Sequence, residues 1–146
     1  MTTVNRSAIV AYSAEEMYAL VADIPAYASF LPWCSGARVL SVRHGEVVAA
    51  IDIAYKGIHK TFTTRNLQQP GKMIEVALLD GPFSHLHGFW TFTPLDASAS
   101  KIALDLEFGV ANRIMSLAIS PVFTGIANQL VDAFRQRAEA LYGKRP

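Results

Sequence analysis

The feature that most constrains this chain is one apolar stripe near its C-terminus. Met115, Ile119, Phe123, Ile126, Leu130, Phe134, Ala138 and Leu141 recur at helical spacing, with Asn128, Asp132, Arg135, Gln136 and Glu139 elsewhere. The pattern is that of a long amphipathic helix whose dry side must be covered. Pro121 either kinks this helix or starts its longer part, with Ser120 then as the cap. At about 1.5 Å per residue, the part after Pro121 alone spans on the order of 30 Å, enough to cross a whole sheet. In "NRIMSLAISPVFTGIANQL", Ile114, Leu117, Ala118, Ile119 and Val122 widen the stripe almost around the rod. That part must be buried, touch lipid or meet a second copy of the chain, which leaves monomer and dimer both open.

The cover for the helix lies upstream. From Gly36 to Phe108 the apolar period changes to 2, with turn chemistry at "RHGE", "YKG", "QQPGK", "DGPF" and "LDASAS". Val47, Ala49, Ile51, Ile53 and Tyr55 share one face, as do Ile102, Leu104, Leu106 and Phe108, while Lys101, Asp105 and Glu107 point the other way. This is an antiparallel meander with one dry side. Ahead of it, "RSAIVAYSAEEMYALVADI" reads as a short strand followed by a helix, opened by a Ser13/Glu16 capping box and buried through Met17, Leu20 and Val21. Pro25 interrupts that helix, and a second short helix through Tyr27 to Phe30 stops near Leu31, before Pro32.

The order strand, two short helices, about six strands and one long helix predicts a single α+β domain over residues 1–146. A curved antiparallel sheet of six to seven strands wraps the C-terminal helix. A chain this long buries about 68–70% of its unfolded surface, and 51% apolar against 17% charged residues supply the core. A curved sheet and a straight rod do not close perfectly, so a cavity is expected between them.

The formal net charge of +1 excludes the global basic footprint of most nucleic-acid binders, though not a local patch. One cysteine, Cys34, cannot form an internal disulfide, and "MTTVNRSAIVAYS" lacks the basic and apolar regions of a secretion signal. These features predict a cytoplasmic protein. No apolar run approaches the roughly 20 residues of a membrane span, so membrane contact is expected to be peripheral, at the inner membrane.

Together with this order of elements, the segments "FLPWCSGARVL", "TFTTRN", "LLDGPFSHLHGFWTFTPL" and "LDLEF" followed by "NQLVDAFRQRA" resemble the coenzyme Q-binding protein family. Its bacterial members are also called ribosome association toxin A or polyketide cyclases. The family belongs to the helix-grip superfamily of steroidogenic acute regulatory-related lipid transfer (START) domains and the birch pollen allergen. The resemblance runs from about Ser7 to Tyr142. It implies a hydrophobic tunnel between sheet and helix for ubiquinone or a related prenyl lipid, a bound ligand rather than a cofactor, in support of respiration. It also implies, as an alternative, a protein that binds the large ribosomal subunit and hinders subunit joining. A cyclase activity is inherited by fold alone, and fold does not fix function.

On the tunnel reading, the ligand is held by Tyr27, Trp33, Val39, Ile53, Phe62, Leu78, Trp90, Phe123, Ile126 and Leu130. Burial at about 0.8 kcal/mol per CH₂ gives micromolar or better affinity from the tail alone. Trp33 serves equally well as core or as the mouth of the pocket. Lys56, His59, Lys60 and Arg65 gather around one strand and its turn. They are solvated strand positions or, for Lys56, Lys60 and Arg65, contacts to lipid or ribosomal RNA phosphates. Arg65 and Asn66 of "TRN" alternatively form a hydrogen-bonding pair at a strand end.

No residue set points to catalysis or metal. Cys34 lacks a Cys/His signature and reads as packing. His85 and His87 supply two ligands where a catalytic zinc site needs three. Strand parity puts Asp52 and Glu107 on the wet face, Asp80 precedes Gly81-Pro82 in a turn, and Glu75 has no acid/base partner fixed by spacing. The tail "GKRP" reads as a frayed terminus.

Overall fold

The computed structural model describes residues 1–145. Strand β1 (Thr2–Val10) leads into α1 (Ala14–Ala22) and a 3₁₀ helix (Ile24–Ser29). Six strands follow: β2 (Cys34–Arg43), β3 (Glu46–Tyr55), β4 (Ile58–Gln69), β5 (Met73–Asp80), β6 (His85–Asp96) and β7 (Ala99–Gly109). The chain ends in α2, a 30-residue helix over Arg113–Tyr142. The seven strands form one antiparallel sheet in the order β1-β7-β6-β5-β4-β3-β2. The α+β helix-grip fold expected from the sequence is therefore the fold of this chain.

Local chemistry accounts for the elements. Ser13 Oγ accepts from the Glu16 amide at 3.1 Å while Glu16 Oε1 accepts from the Ser13 amide at 3.0 Å, so the capping box starts α1. The β2–β3 and β3–β4 hairpins turn on His44-Gly45 and Lys56-Gly57, all four residues with positive φ. Two-residue loops of this hand match the twist of the flanking strands, and glycine at the second position takes the conformation without a Cβ penalty. Register shifts in β2, in β4 at Thr63/Thr64 and in β6 at Pro94/Asp96 bend the sheet, giving it the concave side on which α2 lies.

Two boundaries differ from the expected ones. The second short helix is a 3₁₀ helix that begins at Ile24, because Pro25 at its first turn fits a helix start and needs no amide partner there. α2 does not restart at Pro121. Asn112 caps it by accepting from the Ile114 and Met115 amides, Pro121 lies inside it, and Ser120 pairs its hydroxyl with Ser116 at 3.0 Å instead of capping. By length and composition α2 also qualifies as a membrane span, with a mean hydropathy of 1.5 over 18 residues. The expectation that no stretch approaches a span overlooked this, because uncharged Ser, Thr, Asn and Gln interrupt the run without making it charged. Here the Phe123, Ile126, Phe134 and Ala138 side of α2 is buried in the domain.

The C-terminus is not frayed at Arg145. Its guanidinium donates to both Glu16 carboxylate oxygens at 2.8 and 2.9 Å and lies over the Tyr12 and Tyr142 rings. Tyr12 OH donates to Gly143 O at 2.7 Å, which fastens the end of α2 to the end of β1. Pro146 lies outside the described residues.

The Arg145 hydrogen bonds hold the Glu16 carboxyl at about 2, well below the ordinary 4.5. A carboxylate with a depressed folded-state pKa contributes stability above its unfolded value and loses it as pH falls from about 4.5 toward 2. Glu16→Gln keeps the capping box and removes only the ion pair. At neutral pH it should lower the free energy of unfolding by about 1 kcal/mol or less, the scale of a solvent-screened pair. In urea unfolding the gap between variant and parent should narrow as pH falls below about 4.5 and approach zero only near pH 2. A gap independent of pH would reject the pair as its source.

Candidate functional site: an uncharged cavity between helix and sheet

α2 touches the concave face through two aromatic anchors. Phe123 meets Phe83 at 4.7 Å between ring centroids, Phe108 at 4.8 Å and Phe62 at 6.0 Å. Phe134 meets Phe30 and Trp90, both at 5.4 Å, and Tyr27 at 5.6 Å. Eleven residues of helix separate the anchors, about 16 Å along the axis. Between them Ile126 and Leu130 face a cavity of about 90 Å³.

The remaining wall comes from α1 and its 3₁₀ neighbour (Val21, Ile24, Tyr27), from Trp33, and from inward positions of β3 to β7, including Ile51, Ile74, Val76, Leu86, Leu104 and Leu106. Strand register puts these on one surface: Phe62 pairs with Ile51, Asn66 with Val76, Val76 with Gly88, and Leu104 with Trp90.

Of the expected pocket residues, Tyr27, Trp33, Phe62, Trp90, Phe123, Ile126 and Leu130 line this cavity. Three do not. Val39 has inward parity opposite Ala49, but it sits on the edge strand next to a register shift, outside the cover of α2, and is 38% exposed. Ile53 is inward and buried, yet it pairs with Cys34 at the filled end of the core. Leu78 is partly buried near the Gly81 turn, outside the residues that line the cavity.

The sequence reading missed the polar edge of the cavity. Thr64, Asn66 and Gln68 alternate with outward residues on β4 and carry the same parity as Phe62. That parity was the available signal. Thr64 Oγ1 donates to Asn66 Oδ1 at 2.9 Å, both residues being buried. Arg65 and Asn66 are therefore not a pair. They face opposite sides of the sheet, and Arg65 Nε instead binds Glu46 at 2.9 Å.

No carboxylate, imidazole, ammonium or guanidinium is among the residues that line the cavity. Tyr27 is its one titratable side chain. The Tyr27 hydroxyl donates to Val21 O, and burial, reinforced by Asp23 nearby, pushes the phenol well above its ordinary value. It stays neutral and is already committed as a donor.

The charged candidates lie on the other face. Asp52 accepts from Arg38 at 3.0 Å and Thr61 at 2.6 Å, and these bonds, Thr61 foremost, hold its carboxyl below the usual range. His87 pairs with Glu75 at 2.8 Å and His85 with Glu107 at 3.3 Å, so each imidazole has its own carboxylate. Among the described residues no cluster of three metal-ligating side chains forms. Cys34 is buried, its thiol donates to Gly36 O at 3.3 Å, and burial raises its pKa, as befits a packed side chain and not a nucleophile.

Lys56 and Lys60 have no ion pair among the described residues. Lys56 lies in the β3–β4 turn over its neighbour Tyr55, and Lys60 is exposed on β4. Arg65 is partly neutralised by Glu46, which removes it from a set of free cations.

Comparison with known proteins agrees with this architecture. The family described as "Polyketide cyclase / dehydrase and lipid transport" matches residues 10–135. A Vibrio cholerae protein named ribosome association toxin RatA is 45% identical over 144 residues, 99% of this chain and 100% of the relative. A Xenopus laevis protein named coenzyme Q-binding protein COQ10 homolog B, mitochondrial, is 28% identical over 97% of this chain and 59% of its own length. Among solved structures, the Zhui aromatase/cyclase of Streptomyces superposes with a TM-score of 0.80 at 21% identity, covering 99% of each chain. A START superfamily protein of Mycobacterium smegmatis does so with a TM-score of 0.77 at 23% identity, covering 95% of this chain and 98% of the other. At those identities the structural likeness speaks for the fold alone. The match across most of its length and the close full-length relative show that this chain belongs to the polyketide cyclase / dehydrase and lipid transport family, with a START-like fold.

Proposed function

We propose that this protein is a non-catalytic binder of a hydrophobic ligand, a quinone or related prenyl lipid, held between α2 and the sheet. The observation that carries the reading is the uncharged, largely apolar cavity between two aromatic anchors. A buried apolar space loses contacts and water-exclusion energy unless something fills it. Without an acid/base pair in the wall, general acid/base cyclisation has no proton donor or acceptor to use. The name of the Xenopus relative supports a quinone as ligand.

Leu130 is half-buried on the cavity wall, so a larger side chain there can fill the space without replacing a fully enclosed residue. Gently purified parent protein should carry a near-stoichiometric prenyl lipid by native mass spectrometry and lipid extraction, or take up added ubiquinone. Leu130→Trp, folded by circular dichroism, should lose most of that occupancy. A parent that is empty and refuses quinone, or a variant as full as the parent, sinks the proposal.

A second reading has its own support. The Vibrio relative, full-length and 45% identical, is named for ribosome association. On this reading the protein docks on the large ribosomal subunit through the β3–β4 hairpin, where Lys56, His59 and Lys60 are exposed. Such docking weakens with salt as each phosphate contact releases about one counterion. In sucrose gradients at low salt, the parent should sediment with the large subunit. Replacing Lys56 and Lys60 together with Glu should return most of it to the top. A parent that never leaves the top ends this reading.

A further inference from the structure

Apart from the Tyr27 phenol and the indoles of Trp33 and Trp90, the polar side chains of the cavity lie on one edge. Thr64 and Asn66 are its buried polar side chains and Gln68, half-buried, follows on the same face of β4. Asn66 is 8% exposed. Its carbonyl oxygen accepts from the Thr64 hydroxyl, which fixes the plane of the amide, while its Nδ2 makes no hydrogen bond among the described residues. No fully enclosed side-chain nitrogen or oxygen among the described residues lacks a partner, so the free Nδ2 keeps some accessible surface on a residue that lines the cavity. The side chains of Val47 and Val76, paired with Asn66 on the flanking strands, offer it no acceptor. An N–H donor at an apolar wall with no protein acceptor is open to a ligand that supplies one.

The absence of a cation from the wall narrows the ligand further. A carboxylate or phosphate drawn into this space would lose its hydration with nothing to neutralise it.

We infer that the Thr64–Asn66–Gln68 edge is a head-group site for an uncharged ligand bearing a hydrogen-bond acceptor, such as a quinone carbonyl, with the apolar remainder lying along Ile126 and Leu130. Asn66 is the donor and Thr64 the residue that orients it. This deepens the ligand-binding reading above and rests on it. It adds the direction in which the ligand lies and the reason a neutral carbonyl is preferred to an acid.

Three probes carry a straight chain of nine or ten carbons: decyl-1,4-benzoquinone, decylbenzene and decanoate. Both tryptophans of the chain, Trp33 and Trp90, line the cavity, so quinone binding is read by quenching of their fluorescence and the other two by competition. The parent should bind the quinone about tenfold more tightly than decylbenzene, the worth of one well-made neutral hydrogen bond, and decanoate more weakly than either. Asn66→Leu should remove the quinone's advantage while leaving decylbenzene unchanged or tighter, which also shows that the cavity is intact. Thr64→Val, which frees the amide without deleting it, should remove part of the advantage and keep decylbenzene binding. Equal loss of quinone and decylbenzene in both variants, an undiminished preference for quinone in Asn66→Leu, or decanoate binding as tightly as the quinone would overturn the head-group site. In those cases binding of decylbenzene by the parent keeps the cavity reading alive. If the parent binds none of the three, the ligand-binding reading itself is overturned and this inference with it.

Discussion

The fold depends on how a straight helix is fastened to a bent sheet. α2 is held at Phe123 and Phe134, each packed edge-on against aromatic rings from other elements. Aromatic pairs in this geometry contribute about 0.5–1.5 kcal/mol beyond their buried area, so two such knots fix both the position and the roll of the helix. With the ends pinned, the middle cannot follow the curvature of the sheet. The shorter side chains Ile126 and Leu130 leave the gap that the ligand reading requires. Cavity and stability thus have one origin, and the size of the gap is set by what lies between the anchors.

The distribution of charge follows the same division. The cross-strand ion pairs lie on the face of the sheet opposite the core: Arg38 with Asp52, Arg65 with Glu46, His87 with Glu75 and His85 with Glu107. Solvent-exposed pairs of this kind add little individually. Their consequence is mainly negative, since they keep ionisable groups out of the concave face and leave it with an amide and a hydroxyl as its chemistry. A site so furnished can orient a neutral molecule and exclude water from it, but it has little with which to move a proton.

Much of this architecture was legible in the sequence because two periodicities carry it. The change from period 2 to period 3.6 after Phe108 and the Ser13/Glu16 box fixed the order and type of the elements, and the α2 stripe named Phe123, Ile126 and Leu130. Less legible was whatever depends on where one element ends relative to another. Val39 has the correct parity, yet it is exposed because α2 does not cover the edge strand. Leu78 is likewise turned inward but lies near the Gly81 turn, outside the cavity wall. The polar edge was missed for a different reason. "TTRN" reads as polar on every residue, and only the inward placement of Phe62 says that Thr64 and Asn66 must be inward too. Arg145 escaped notice because its partner, Glu16, is 129 positions away.

The dimensions of the cavity bear on how any ligand enters. An apolar cavity of about 150 Å³ admits a benzene-sized molecule, so a space of about 90 Å³ does not hold a prenyl chain as it stands. A longer chain needs more room between α2 and the sheet, and the two ends of the helix are fastened by different contacts. The C-terminal half is tied by the Phe134 knot, by Tyr12 to Gly143 and by Arg145 to Glu16. Toward the N-terminus, Pro121 removes one helical hydrogen bond, and the first turns carry Ile114 and Leu117 at 79% and 75% exposure. The Phe123 knot pins the N-terminal half as well, so the bare apolar side chains of the first turns lie beyond the last anchor. The cavity wall includes neither Lys56 nor Lys60 of the β3–β4 hairpin, so the substitutions that test the ligand reading and those that test the ribosome reading fall on separate surfaces.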